Sequence, residues 1–301
     1  MTAAAWTVAV LAAVGSGGNA AEPAAPKPTL SVEWKTIAPG ADRATLPVAG
    51  SGVGASEALL LRFDLDRFRA EVVVGKGTPP HPRTAADLRQ GRGAVAAVNG
   101  GFFDEHVVPL GLRIAGGDQR FPLRPKADWG VLVLGNHRAR IIHTREYPRP
   151  TTTTNTTNTT NTATTAPPAN TPPSPVIALP TPIDGAIQVG PRLLVAGQPM
   201  KLRPQLARRT AVAVDREGRT LTLVVSDVPV AADDLAAALA AQGFDAAILL
   251  DGGPSTQLSL ALGDAQVDVE GVYPVPDLLA IFTRAPPHRA VAPAPRPSPP
   301  R

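Results

Sequence analysis

The sequence predicts an α+β fold: a single domain with a largely β core of mixed or antiparallel sheet and a few flanking helices. Three observations carry this. Short apolar or alternating runs recur along the chain, each bounded by Gly, Pro, Asp or Asn, which is how strands and their turns read. Only two stretches carry both start and stop signals for a helix. Hydrophobic residues make up 44% of the 301 residues but aromatics only 4%, so the core must be packed from aliphatic side chains.

Residues 1–21 read as a signal peptide. An apolar run over residues 6–14 is followed by small residues, with Gly18-Asn19-Ala20 as the expected cleavage region. The run is too short to span a bilayer, and no other segment is long and apolar enough to cross one. No Lys or Arg precedes it, so a non-cleaved tail is the alternative reading. Residues 22–29 are Ala/Pro-rich and read as a linker, and the folded domain is expected over residues 30–284. Residues 58–65 and 68–74 alternate as strands do and read as a hairpin turning between Asp64 and Arg67. Thr84 suits the N-cap of a short helix running to Gln90, with Gly91 as its stop. Residues 94–98, 110–114, 129–134 and 140–143 read as further strands.

Residues 150–182 interrupt this pattern. They are Thr and Asn alone over 151–162 and gain Ala and Pro beyond. Such a segment cannot bury enough apolar area to offset its ordering entropy. No second compact unit with its own start and stop signals follows, so the tract reads as an insertion within one domain. Ordered sequence resumes with the strand-like residues 188–195. Residues 209–214 and 221–227 read as strands around a turn at Asp215-Arg216-Glu217-Gly218. The clearest helix spans residues 231–242, where Asp233 and Asp234 favour the N-terminal dipole and Gly243 takes the C′ position. A strand over 246–250 completes a strand–helix–strand unit, and 278–282 is the last strand. Residues 285–301 form a Pro-rich tail expected to be disordered.

Charge and composition exclude several classes. The net charge is +4, and the last 18 residues hold four arginines (Arg284, Arg289, Arg296, Arg301) and no acid, so the rest of the chain is neutral. An excess confined to a proline-rich tail, with no basic and aromatic stripe for stacking bases, speaks against a nucleic-acid partner. Cysteine is absent, which removes disulfides, thiolate metal sites and thiol nucleophiles. The histidines show no metal-ligand spacing, no cofactor is required, and a divalent cation between Asp251 and Asp104 is compatible with the carboxylates. Nothing in the sequence reports the oligomeric state.

Two matching junctions stand out. Ala94-Val95-Ala96-Ala97-Val98 runs into Asn99-Gly100-Gly101-Phe102-Phe103-Asp104, and Ala246-Ala247-Ile248-Leu249-Leu250 runs into Asp251-Gly252-Gly253-Pro254-Ser255-Thr256. Each places a polar residue at a strand end, followed by two glycines that permit positive φ and close backbone approach to a ligand. On one sheet, the two ends would supply a carboxylate, an amide and an anion-binding concavity. Two ordinary tight turns are the alternative.

These junctions come in ordered company. Gly111-Leu112, Gly190-Pro191-Arg192-Leu193-Leu194-Val195, Arg209-Thr210-Ala211 and Val275-Pro276-Asp277 accompany them in the same chain order. Together, over residues 55–284, they resemble the phosphodiester glycosidase family. The resemblance implies hydrolysis of a sugar-1-phosphodiester and a glycan or sugar-phosphate partner. One departure stands at Asp227, followed here by Val228-Pro229 where closer enzymes of the family carry Asp-Gly-Arg. This makes the chain look like the bacterial envelope branch and implies a periplasmic or secreted location.

Cleavage at C1 passes through an oxocarbenium-like state that carboxylates stabilise. Asp251, Asp104 and Asp227 are the candidate catalytic carboxylates, Asp251 foremost, with an Asx cap on its own turn as its alternative role. For substrate binding, Asn99 offers a donor and an acceptor to a sugar hydroxyl. Arg209, beginning a strand beside Arg208 and Thr210, is the favoured phosphate ligand. Arg113 is a weaker one, with strand alternation placing it toward solvent. Gly100, Gly101, Gly252 and Gly253, with the hydroxyls of Ser255 and Thr256, complete the expected concavity. Phe102 and Phe103 are expected chiefly in the core.

Overall fold

A computed structural model describes residues 32–49, 56–148 and 178–284. The expected signal peptide, linker and tail, and most of the low-complexity tract, lie outside the described residues.

The first part of the chain gives β1 (Lys35–Ala38), β2 (Ala41–Val48), β3 (Ser56–Asp64), β4 (Phe68–Val74), α1 (Ala85–Arg92) and β5 (Ala96–Asn99). Four strands follow: β6 (Arg113–Ala115), β7 (Asp118–Phe121), β8 (Gly130–Gly135) and β9 (Arg138–His143). Beyond the tract come β10 (Gly185–Val189), β11 (Arg192–Val195), β12 (Gln198–Pro199), β13 (Leu206–Val214) and β14 (Thr220–Ala231). The chain closes with α2 (Ala232–Ala241), β15 (Ala246–Leu249), β16 (Leu258–Leu262), β17 (Ala265–Val269) and β18 (Asp277–Thr283).

The strands form three sheets. One has eight strands in the order β1-β2-β3-β14-β13-β15-β11-β12; two have five, β7-β6-β10-β8-β9 and β17-β16-β5-β18-β4. Neighbours pair antiparallel throughout. This is a sheet-rich α+β domain, as the sequence predicts. The strands on either side of the Thr/Asn tract, β9 and β10, both pair with β8.

Strand alternation explains the near-continuous apolar runs. Val212, Val214 and Ile248 from the first sheet, Leu132 and Ile187 from the second, and Val98, Leu279 and Ile281 from the third meet in one central core. The alternate residues turn outward and are covered as well. Ala211, Ala213, Ala247 and Leu249 pack under α2 through Leu235 and Leu239. Ala97, Leu278 and Ala280 pack under α1 through Ala85 and Leu88. Burial on both faces is why these strands read as apolar blocks.

Both helices fall where expected. Thr84 caps α1 in a capping box with Asp87, but the helix runs on to Gly93, which adopts φ 67° and stops it in place of Gly91. The α2 helix is followed by Gly243 at φ 78°.

Three expectations are corrected. The hairpin of residues 58–74 does not form. Asp64 and Arg67 make the turn, but β3 pairs with β2 and β14 in the first sheet while β4 pairs with β18 in the third. Residues 188–195 are two strands in two sheets, the chain crossing between them at Gly190-Pro191. Asp227 does not end its strand, because β14 continues to Ala231, with the register shifting opposite Ala207 and Arg209. Pro229 is tolerated beside that irregularity. Strands β16 and β17 were not expected, although Leu258-Ser259-Leu260 and Val267-Asp268-Val269 alternate on either side of Gly263, at φ 56°.

Candidate active site

The two glycine junctions meet, but from different sheets. Asn99 ends β5 in a five-stranded sheet, and Asp251 follows β15 in the eight-stranded one. Two hydrogen bonds join them: Asn99 Nδ2 donates to the Asp251 carbonyl at 2.7 Å, and the Asp251 amide donates to the Gly100 carbonyl at 3.0 Å. Asn99 Oδ1 accepts from the Thr210 hydroxyl at 2.7 Å and the Gln257 amide at 3.1 Å. Asn99 and Thr210 are both 0% exposed. Their polar groups are spent on fastening β5 to β13 and to the second junction. A sugar hydroxyl would have to replace those bonds to reach either residue.

Arg113 is also corrected. It is 0% exposed and paired with Asp277, itself 0% exposed. Its other nitrogens donate to the carbonyls of Leu112 (3.1 Å), Gln188 (3.0 Å) and Phe102 (3.2 Å). These bonds direct four of its five N–H donors at protein acceptors. The sequence quotes Asp277 only as part of Val275-Pro276-Asp277. Its place at the head of the last strand, two residues after the bridge between Val275 and Arg83, is what brings it to the junction.

The glycines of the first junction serve this pair. Neither Gly100 nor Gly101 has positive φ. A Cβ on Gly100 would stand 2.6 Å from Asp277 Oδ1 and 2.8 Å from the Asp277 carbonyl oxygen, and one on Gly101 would stand 2.3 Å from Arg113 Nη2. At the second junction, Gly253 adopts φ 59° and a Cβ on Gly252 would stand 3.0 Å from the Arg208 carbonyl. We predict that Gly100→Ala costs about 1–3 kcal/mol, as overpacking against immovable backbone does. Urea unfolding would measure it, and an unchanged midpoint would contradict the packing described.

Asp251 is the carboxylate that remains partly accessible here. It accepts from the Ser255 hydroxyl at 2.7 Å and from the Gly252 amide at 3.0 Å. Burial pushes its carboxyl above the usual range; those two bonds oppose the rise, the nearby Asp277 adds to it and Arg113 lowers it. Burial likewise pushes Asp277 up, against the pull of Arg113 and the Gly101 amide. The Ser255 hydroxyl also lies 3.5 Å from the Tyr273 hydroxyl, and Tyr273 stacks edge-on against Phe103. Phe102 packs in the same way on Trp129. Ser255 and Thr256 are 1% and 0% exposed, and Thr256 Oγ1 is buried without a hydrogen-bond partner.

Arg209 flanks the second junction. Its Nε donates to the Val230 carbonyl at 3.2 Å and its Nη2 to the Gln205 carbonyl, while Nη1 lies 4.0 Å from where a Cβ on Gly252 would stand. Burial lowers its pKa and Asp233 opposes that. The other two candidate carboxylates are committed elsewhere. Asp104 Oδ1 accepts from the amides of His106 (3.0 Å) and Val108 (2.9 Å), closing its own loop. Asp227, 67% exposed at its side chain, pairs with Arg208 at 2.7 Å. Among the described residues, no group of three His, Asp or Glu side chains is placed to hold a metal ion, and no helix is long and apolar enough to cross a membrane.

A carboxylate, an arginine and two glycine junctions thus come together beside a buried Arg–Asp pair in a sheet-rich domain. Residues 92–282 match the phosphodiester glycosidase family, and the chain belongs to that family. No curated protein sequence matches it. Among solved structures, a hypothetical protein from Synechocystis is similar at 17% identity and a TM-score of 0.56, covering 87% of this chain. This chain spans 64% of that protein's length. The catalytic domain of zebrafish N-acetylglucosamine-1-phosphodiester alpha-N-acetylglucosaminidase, auto-inhibited by its pro-peptide, is similar at 18% identity and a TM-score of 0.53, covering 85% of this chain and 89% of its own. A Burkholderia pseudomallei protein described as exported is similar at 17% identity and a TM-score of 0.53, covering 78% of this chain and 76% of its own. At these identities the likeness concerns the fold.

Proposed function

We propose that the chain hydrolyses a sugar-1-phosphodiester at the C1–O bond, with Asp251 as the catalytic base and Arg209 as the phosphate ligand. The observation that carries this is Asp251 itself, a half-buried carboxylate with a raised pKa at the meeting of the two junctions. A base is most effective when its pKa approaches the working pH. Water attacks C1 and gives its proton to Asp251, and the C1–O electron pair leaves on the phosphate monoester. That leaving group is weakly basic, so a second carboxylate to protonate it is less needed. Arg209, through Nη1, which lies beside Gly252, would hold its charge. Asp277, out of reach of substrate, holds the junction through Arg113.

The substrate we infer is a cell-envelope or extracellular glycan, reached by export. The apolar stretch over residues 6–14 and the small residues after it support export. Sequencing the N-terminus of protein recovered outside the cytoplasm would test this; an intact Met1 on cytoplasmic protein would refute it.

One observation favours a second reading, a glycan-binding protein without turnover. Glycosidases generally work with two carboxylates, whereas Asp104 accepts from the amides of its own loop and Asp227 is paired with Arg208. Aryl phosphodiesters of sugar-1-phosphates, offered to the full chain across pH 4–9 with and without divalent cations, separate the readings. Aryl phosphate released with free sugar supports the hydrolase. Saturable binding with no release supports the binding protein.

A further inference from the structure

A cleft of about 550 Å³ lies along the outer edge of β4, which has β18 as its sheet neighbour on the other side. Ala115 and Gly116 at the end of β6, and Leu134 and Gly135 at the end of β8, form its far wall. Five arginines line it (Arg69, Arg92, Arg120, Arg138 and Arg284) against two carboxylates, Glu71 and Asp184. Glu71 is shared between Arg69 and Arg92. Those two guanidinium groups also lie over one ring, that of Phe282, at 4.5 and 5.5 Å from its centroid. Arg284 is pinned by its Nε, which donates to the carbonyls of Leu65 (3.0 Å) and Phe68 (2.9 Å).

Like charges held this closely repel one another, and a bound anion relieves the repulsion. Burial and the charges of Arg92 and Arg284 pull the Arg69 pKa down, in keeping with this. Planar guanidinium forks match the oxygens of a phosphate. The volume falls in the range of small-ligand sites, and Val72 and Leu134 supply apolar surface beneath the charged rim. None of the lining side chains belongs to the Asp251 cluster. In the β18–β4 ladder Phe282 faces Arg69 and Asp277 faces Val74. The Arg69 end of the cleft, where the guanidinium groups gather over Phe282, therefore lies five residues of strand rise, roughly 17 Å, from Asp277.

We propose that this cleft is a second binding site, for a phosphate-type oxyanion, separate from the Asp251 site. The ion can be free or carried on a sugar, and the test distinguishes the two. Inorganic phosphate, tripolyphosphate and glucose-1-phosphate are titrated by calorimetry into the full chain, its Asp251→Asn variant and an Arg120→Gln/Arg138→Gln variant. Saturable binding is expected, unchanged in Asp251→Asn and weakened about tenfold or more when two guanidinium contacts are removed. Heat from phosphate alone marks a free-ion site, and tighter glucose-1-phosphate binding marks a sugar-borne one. If the double variant does not fold, Arg120→Gln alone is used, since Arg120 is exposed. Absence of saturable binding to all three probes overturns the proposal. So does binding that the arginine substitutions leave intact. Binding is read without turnover, so this result stands apart from the fate of the hydrolase reading.

Discussion

Replacing Arg113 by Met is expected to cost about 3–5 kcal/mol, the usual penalty for leaving one partner of a buried ion pair uncompensated. Asp277 would remain at 0% exposure without its counter-charge, and the carbonyls of Phe102, Leu112 and Gln188 would lose their donor. For a domain of this size the fall in Tm is about 10 °C. The double replacement Arg113→Met/Asp277→Leu should recover part of the loss, because two apolar groups of similar volume remove the buried charge altogether. Thermal and urea unfolding of the single and double variants would show this. A single variant as stable as the wild type would mean that the pair does not support the junctions.

The second large effect falls on activity. Asp251→Asn is expected to lower kcat by about 10²–10⁴-fold, the contribution of a positioned base, while the fold survives. Stability should move the opposite way from activity. The Asp251 pKa is raised in the folded chain, chiefly by burial. Its contribution to stability is therefore present below the unfolded value of about 3.9 and is lost as pH rises through the folded value. The Asn variant carries no charge to bury, so its Tm should match the wild type at pH 4 and gain on it toward pH 8. Activity of the wild type should rise over the same interval as Asp251 ionises. A wild-type Tm that gains on the variant with rising pH would contradict the sign.

Local features of this fold were legible because their causes are local. Thr84 announces the N-cap of α1, and Gly243 stops α2. The glycine junctions mark where the two chain segments converge. What could not be read was set by partners far along the chain. Arg113 looks like an alternating surface residue until Asp277, 164 residues away, is placed against it. Asn99 reads as a polar strand end, but its bond to Asp251, 152 residues on, is not visible in the sequence. The hairpin at Asp64 failed for the same reason, since periodicity records that a strand has two faces but not which strand lies beside it. The first-junction glycines were legible as special, but the crowding that requires them comes from side chains the sequence does not bring near.

On the proposed mechanism, Asp251 directs water to C1 of a sugar-1-phosphodiester. Hydrolysis in ¹⁸O-labelled water, with both products analysed by mass spectrometry, tests it most directly. Label is expected in the free sugar and none in the phosphate monoester, with turnover lost in Asp251→Asn. Label in the phosphate, or equal turnover by the variant, would contradict it.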